Sequence, residues 1–272
     1  MAARRTVGVT PPALIFRLLN AAGEDEVLVG GQALGVWVAK YDLAVPADRI
    51  VITRDTDFLT LSPAAKSSVE KFARAIGGKA RYPRRLERTA LVGQVDLDIS
   101  DDEFINVDVV FRVVGLDPQR VKERALRVDM HGVSFLVMHP FDVLRSRLAN
   151  LHELNAKQNE KGAMQLTLAI QVAREFLRGE AGRFSPADTS AGRSPVQTLV
   201  SEIEKMAIDD AARKVADRWG LYVADAIDPT LIPAGPFWTK KWPTLRAIMS
   251  DAYARQFVPP PDSGELASEL AK

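Results

Sequence analysis

The chain has no cysteine, and only three histidines among its 272 residues. The first absence excludes a thiol nucleophile, a disulfide framework, thiolate-held zinc and an iron–sulfur cluster. The histidines, His131, His139 and His152, show no metal-ligand spacing. No apolar run approaches the roughly 18 residues of a membrane-spanning helix, and MAARRTVGVTPP has no apolar stretch before its prolines that would mark a signal peptide. Charge imbalance is lacking too: 36 basic residues stand against 35 acidic ones, a net charge of +1. No global field calls for a polyanion or a membrane, so an anionic partner has to be held by local patches. There is no Gly-Lys-Ser/Thr of a phosphate-binding loop and no nucleophile-elbow serine, and GGQALG fails the G-x-G-x-x-G spacing of a dinucleotide site. The expectation is a soluble, cytoplasmic protein with no membrane partner, long enough to bury its core in one large or two modest domains.

The pattern that is present has two halves. Ala13–Ala22 reads as a helix stopped at Gly23, and Glu26–Val29 as a short strand running into Gly30-Gly31. A helix over Gln32–Tyr41 follows, then a strand over Arg49–Leu61. Ser62-Pro63 resembles an N-cap and first helical position for a helix ending near Ile76. LVGQVDLDIS (91–100) and FINVDVVFRVV (104–114) alternate and predict an antiparallel hairpin turning at Asp101-Asp102. A charged helix around Pro118–Leu126 and a strand over Val133–Met138 complete an α/β region, residues 1–138. Residues 139–258 are almost wholly helical: Phe141–Leu151, Met164–Leu177, Val196–Gly220 and Pro243–Phe257, with a Gly/Ser/Pro-rich linker at 179–195 and Trp238 and Trp242 as core anchors. The polar tail, 259–272, is expected to be flexible.

The informative residues are acids on apolar strands. Asp55 and Asp57 lie two apart, so a strand carries both on one face, and Asp108 sits inside INVDVVF. Aspartate is disfavoured in strand interiors and costly to bury unpaired. Three converging carboxylates repel unless a cation lies among them, and oxygen-only ligation suits Mg²⁺ or Mn²⁺, completed by water and substrate phosphate. Asp96 and Asp98 share a face of the hairpin's first arm; one register sets Asp96 opposite Asp108, while another reading leaves both acids facing solvent on an edge strand.

Gly30-Gly31 after a strand, Asp55-x-Asp57 on the next and Asp108 on a later one resemble the DNA polymerase β-like nucleotidyltransferase superfamily. The likeness is nearest to the AbiEii-like toxins of type IV toxin–antitoxin systems, through GG-x-x-L (Gly30-Gly31-Gln32-Ala33-Leu34), Arg54 shortly before the acids, and a strand followed by Pro-x-Asp and a basic helix residue in FLVMHPFDVLRSRL (135–148). The resemblance covers about residues 25–150. It implies an α+β fold, a nucleotidyltransferase-like mixed sheet with flanking helices followed by a C-terminal helical domain. It implies transfer of a nucleoside monophosphate from an NTP to an acceptor hydroxyl. Asp55, Asp57 and Asp108 would be catalytic and metal-holding. Gly30, Gly31, Gln32, Arg54 and Arg147 would bind nucleotide. RNA such as tRNA would be the acceptor and an antitoxin protein the partner.

Three departures accompany it. The glycine pair and Asp55 are separated by 23 residues, longer than the usual interval. Lys161-Gly162-x-x-Gln165-Leu166 stands where such toxins carry Lys-Asp-x-x-Asp-Leu, and Arg147 stands for a lysine. The alternative they raise is an inactive nucleotidyltransferase-fold module that binds nucleotide or RNA. The basic run Lys79, Arg81, Arg84, Arg85 and Arg88, with Tyr82 inside it, reads either as an RNA-tracking segment or as a solvated connection.

Overall fold

The computed structural model describes residues 5–45, 55–84, 87, 89–184, 194–233 and 235–259. Two compact units emerge, Met1–Ser146 and Arg147–Lys272. The architecture is the expected α+β one: a mixed sheet with flanking helices, then a helical region.

The first unit contains β1 (Thr6–Val7), α1 (Pro12–Ala21), β2 (Val27–Val29), α2 (Gly30–Lys40), β3 (Thr56–Leu59), α3 (Lys66–Ile76), β4 (Lys79–Arg81), β5 (Leu91–Asp98), β6 (Glu103–Val110), α4 (Pro118–Arg124), β7 (Leu126–Met130) and β8 (Val133–Val137). The strands form one sheet in the order β4-β5-β6-β3-β2-β8-β7, with β1 added to the start of β6. β3 runs parallel to β6 and antiparallel to β2. Helix α3 forms because Val69, Phe72, Ala73 and Ile76 fall on one face, and Gly77, at φ 74°, closes it in the left-handed conformation. That face covers the sheet: Phe72 stacks on Phe58 of β3 with ring centroids 4.3 Å apart. Phe58 pairs in register with Val109, so the odd-numbered apolar residues of β6 (Ile105, Val107 and Val109) share the covered face and are buried. Asn106 and Asp108 consequently share the opposite face.

Several sequence expectations are corrected. The glycine pair is not a turn ahead of α2 but its first two residues. α1 ends at Ala21 with Ala22 as its C-cap, one residue short of the expected end before Gly23, whose N–H donates to Glu26. Ser62-Pro63 forms a turn ahead of α3, whose N-cap is Ala65. The strand expected over Arg49–Leu61 is seen as β3 alone; residues 46–54 lie outside those described. β4 and β7 were not anticipated. β7 joins β8 through His131-Gly132, both at positive φ (50° and 80°), the conformation a two-residue hairpin turn requires.

At the end of the sheet, α5 (Pro140–Glu153) carries the division between the units within it. Its start is held by a buried polar cluster. Arg124 Nη1 donates to Asp142 Oδ1 at 3.2 Å, and its Nη2 lies 3.2 Å from His139 Nδ1, which also accepts from the Phe141 N–H. Burial drives the His139 pKa down to about 3, with Arg124 and Arg120 adding to the fall, so the ring is neutral and offers Nδ1 as an acceptor. The Pro-x-Asp element thus uses its acid to anchor Arg124.

The second unit comprises the rest of α5, α6 (Glu160–Ala181), α7 (Pro195–Ala207), α8 (Asp210–Trp219), α9 (Trp242–Arg246) and α10 (Asp251–Ala254), with short 3-10 turns and a π-helical turn at Phe237–Lys241. The single helix expected over 196–220 is broken at Ile208-Asp209, and 243–257 holds two short helices rather than one. Trp238 and Trp242 are buried, 5.4 Å apart between ring centroids. Glycine at 162 has a packing reason: a Cβ there would overlap the Lys157 carbonyl oxygen, which lies against the first turn of α6. Among the described residues, no helix is long and apolar enough to cross a membrane.

Candidate active site

One row of register partners crosses the sheet through its acids. Arg81 of β4 pairs with Gln94 of β5, Gln94 with Asp108 of β6, Asp108 with Asp57 of β3, and Asp57 with Val29 of β2. Partners in register project to the same face, so Asp57 and Asp108 stand side by side on adjacent strands, both half-buried. Val29 is the last residue of β2, and the next is Gly30. A Cβ on Gly30 would overlap Asp57 Oδ2. The Asp57 carboxylate therefore rests against the first residue of α2, where the helix dipole favours negative charge. Gly30 also holds φ 67°, which L residues rarely adopt.

Glycine is demanded here twice over. Gly30→Ala is expected to cost about 1–2 kcal/mol from the backbone conformation alone, and the overlap must further displace Asp57. Urea melts would measure the first effect; an unchanged midpoint would contradict it.

Asp108 is held by two side-chain amides. Its Oδ1 accepts from Gln94 Nε2 at 2.9 Å and from Asn106 Nδ2 at 2.8 Å. The next row along the face has Lys79 opposite Asp96 and Asp96 opposite Asn106. Asp96 therefore does not face Asp108 directly, and β5 is not an edge strand, since β4 covers it. Asp96 is buried and pairs with Arg81 Nε at 2.8 Å. Burial pushes its carboxyl above the ordinary aspartate range; Arg81 opposes the rise while Asp108 and Asp98 add to it. Asp98 points to solvent and pairs with Arg5 and Lys79, whose hydrogen bonds hold its carboxyl below the usual range.

The remaining site residues are spread more widely. Asp55 stands in the bend immediately ahead of β3 and is half-buried. Gly31 and Gln32 continue the first turn of α2, both buried. Arg54 lies outside the described residues. Arg147 belongs to the second unit, where it is 5 % exposed and its Nη1 donates to Gln165 Oε1 at 3.3 Å. Of the basic run, Lys79 and Arg81 form β4 and are tied to Asp98 and Asp96; Tyr82 is 39 % exposed; Arg85 and Arg88 lie outside the described residues. Gln94 and Asn106 were not anticipated by sequence reasoning, though Asn106 shares Asp108's strand parity and so was open to discovery.

The donor chemistry of the row suits a hard cation. Asp57 and Asp108 supply carboxylate oxygens as neighbours, with no sulfur or imidazole nearby in sequence register, and Mg²⁺ is commonly held by one or two carboxylates with substrate phosphate completing its shell. Among the described residues, no group of three or more acids or histidines is arranged to hold a metal ion. The residues thus fit a cation shared with a phosphate-bearing substrate, and do not form an all-protein cage. A separate concavity of about 230 Å³ in the second unit, lined by Val200, Ile232, Phe237 and Lys240 among others, contains no acid.

No family model matches the chain, and no curated protein matches it in sequence. Solved structures with a similar chain course include the solution structure of the antibiotic-resistance factor ANT(2'')-Ia, at 15% identity and TM-score 0.39, over 63% of this chain and 92% of that one. A protein of H. pylori described as a nucleotidyltransferase aligns at 13% identity and TM-score 0.38, over 94% and 95%. The Megavirus polyadenylate synthase aligns at 8% identity and TM-score 0.38, over 96% of this chain and 52% of that one.

Proposed function

We propose that the protein is a metal-dependent nucleotidyltransferase, moving a nucleoside monophosphate from an NTP to an acceptor hydroxyl and releasing pyrophosphate. The observation that carries this is the register pairing of Asp57 with Asp108 beside Gly30 at the start of α2. Asp57 and Asp108 would hold Mg²⁺ or Mn²⁺, joined by Asp55 from the bend ahead of β3. When bound, such a cation neutralises triphosphate charge and polarises the transferring phosphoryl group. The chain's own contributions are positional. The N-terminal N–H groups of α2, from Gly30, Gly31 and Gln32, suit a phosphate oxygen. Arg54 and Arg147 are the cationic residues that the resemblance would bring to the triphosphate.

RNA, tRNA in particular, is the proposed acceptor, and a toxin role opposed by an antitoxin the proposed setting; both rest on the sequence resemblance. A second reading, an inactive nucleotide- or RNA-binding module, is favoured by the absence of a three-acid metal group among the described residues and by Gly162 and Gln165 in place of acids.

One assay separates the two. The protein is incubated with Mg²⁺, each labelled NTP in turn and total tRNA, beside an Asp55→Ala/Asp57→Ala control. Label transferred to tRNA by the native protein alone supports the proposal. Transfer to protein or a small molecule keeps the chemistry and removes tRNA, whereas no transfer to any acceptor sinks the enzyme.

A further inference from the structure

We infer that Gln94 and Asn106 are positioning residues that commit one oxygen of Asp108 and leave the other, Oδ2, as the single oxygen it offers a cation. This rests on the proposed role of Asp108 as a metal-holding residue. A carboxylate oxygen has two lone-pair directions. The two amide donors, at 2.9 and 2.8 Å, occupy both on Oδ1. They approach from different backbones: Gln94 from β5 as the register partner of Asp108, Asn106 from two residues earlier on β6. Rotation of the carboxylate about its last torsion would break both bonds together, so the plane of the group is set. An unheld aspartate beside Asp57 can offer both oxygens in a chelate or swing away from its like-charged neighbour. Held as it is, Asp108 can only bind end-on.

The amides also settle a charge problem. Asp57 and Asp108 are adjacent in register and repel. Two N–H dipoles on Oδ1 stabilise the Asp108 carboxylate in place without adding a cation that would compete with the metal. Arg81, the nearest guanidinium in the row, is instead drawn to Asp96 at 2.8 Å. Amides rather than basic residues beside Asp108 therefore keep the site attractive to a divalent ion. Partners of this kind commonly change metal affinity about 10–100-fold when removed.

The test uses the full chain and Mn²⁺ alone, titrated by electron paramagnetic resonance of the free ion. Infrared difference spectra taken on adding Mg²⁺ supply a second readout. End-on carboxylates show a wider separation of their two stretching bands than chelating ones, and Asp108→Asn assigns the band. The expected result for Gln94→Leu combined with Asn106→Ser is Mn²⁺ binding weakened about tenfold or more, with the Asp108 bands drawn closer together and the metal-free melting temperature lowered, because Asp108 loses both of its donors. Gln94→Leu alone, at a half-buried position, serves if the double variant fails to fold; it should show the same changes in smaller measure. Unchanged affinity and band separation in Gln94→Leu, while Asp108→Asn abolishes binding, would overturn the inference and leave the enzyme reading standing. If Asp57→Asn and Asp108→Asn both leave Mn²⁺ binding intact, the metal reading itself fails, and this inference with it.

Discussion

Asp108→Asn is expected to lower Mg²⁺-dependent transfer about a thousandfold while making the metal-free protein slightly more stable. The two effects share one cause. Asp57 and Asp108 are register partners on parallel strands, so their charges oppose each other directly, an arrangement that typically costs about 0.2–1 kcal/mol. Asparagine keeps an Oδ1 to accept from Gln94 and Asn106, and puts a neutral amide beside Asp57 where a like charge had been. Relief of that repulsion should raise the melting temperature by about 2 °C. Under the proposed function, the catalytic loss follows from removing a carboxylate that would hold the cation. Metal stabilisation of developing charge is worth several kcal/mol, and about 4 kcal/mol corresponds to a thousandfold in rate. Initial rates of label transfer and a thermal melt on the same preparation check both halves. A variant that lost stability as well as activity would mark Asp108 as a structural residue. One that kept full activity would remove it from the chemistry.

The parts of this site that were legible in the sequence are those set by local pattern. Asp108 within INVDVVF, and Asp55 and Asp57 two apart ahead of an apolar run, break the apolar rule of a strand, and such breaks stand out. The order strand, Gly-Gly, helix was also visible, although the glycines begin the helix rather than precede it. What was not legible depends on register. Whether Asp108 faces Gln94 or Asp96 turns on a two-residue difference in how the hairpin closes, and the pairs Ile99–Glu103 and Ser100–Glu103 around its turn decide it. Both registers place the same apolar residues inside, so alternation cannot choose between them. Gln94 and Asn106 were passed over for that reason: an amide on a strand gains meaning only once its partner across the sheet is known. β4 was missed because Lys-Ala-Arg is an edge strand whose side chains answer the acids of β5, and it reads as a basic run when those acids are not in view. β7 was missed because Leu126-Arg-Val-Asp-Met130 alternates over too few residues beside a charged helix, and the His-Gly turn was not recognised.

Glu26→Gln is expected to destabilise the first unit by about 3 kcal/mol at neutral pH and to remove part of its acid sensitivity. Glu26 is only 2 % exposed and receives three donors: Lys71 Nζ and Ser68 Oγ, each 2.6 Å from Oε1, and the Gly23 N–H at 2.8 Å from Oε2. A single carboxylate thereby ties the segment after α1, the start of β2 and the face of α3. Glutamine supplies one acceptor oxygen where three donors converge, and its own N–H₂ must face a donor. Breaking a buried pair from one side typically costs about 3–5 kcal/mol; Lys71 is one-third exposed, so water relieves it and the lower figure applies. Burial alone would push the Glu26 carboxyl up, but the hydrogen bonds from Lys71, Ser68 and Gly23 outweigh it and hold the pKa below 4.5. A lowered folded-state pKa stabilises above the unfolded value, so this contribution is fully present at neutral pH and fades as pH falls below about 4.5 through the folded pKa. Urea midpoints measured from pH 7 to pH 3 should therefore fall less steeply on the acid side for Glu26→Gln than for the native chain. Identical slopes would show that Glu26 does not titrate in the transition. Because β2 runs from this anchor to Gly30 in four residues, the same variant should also loosen the contact of Gly30 with Asp57, and Mn²⁺ affinity should fall even under conditions where the variant remains folded.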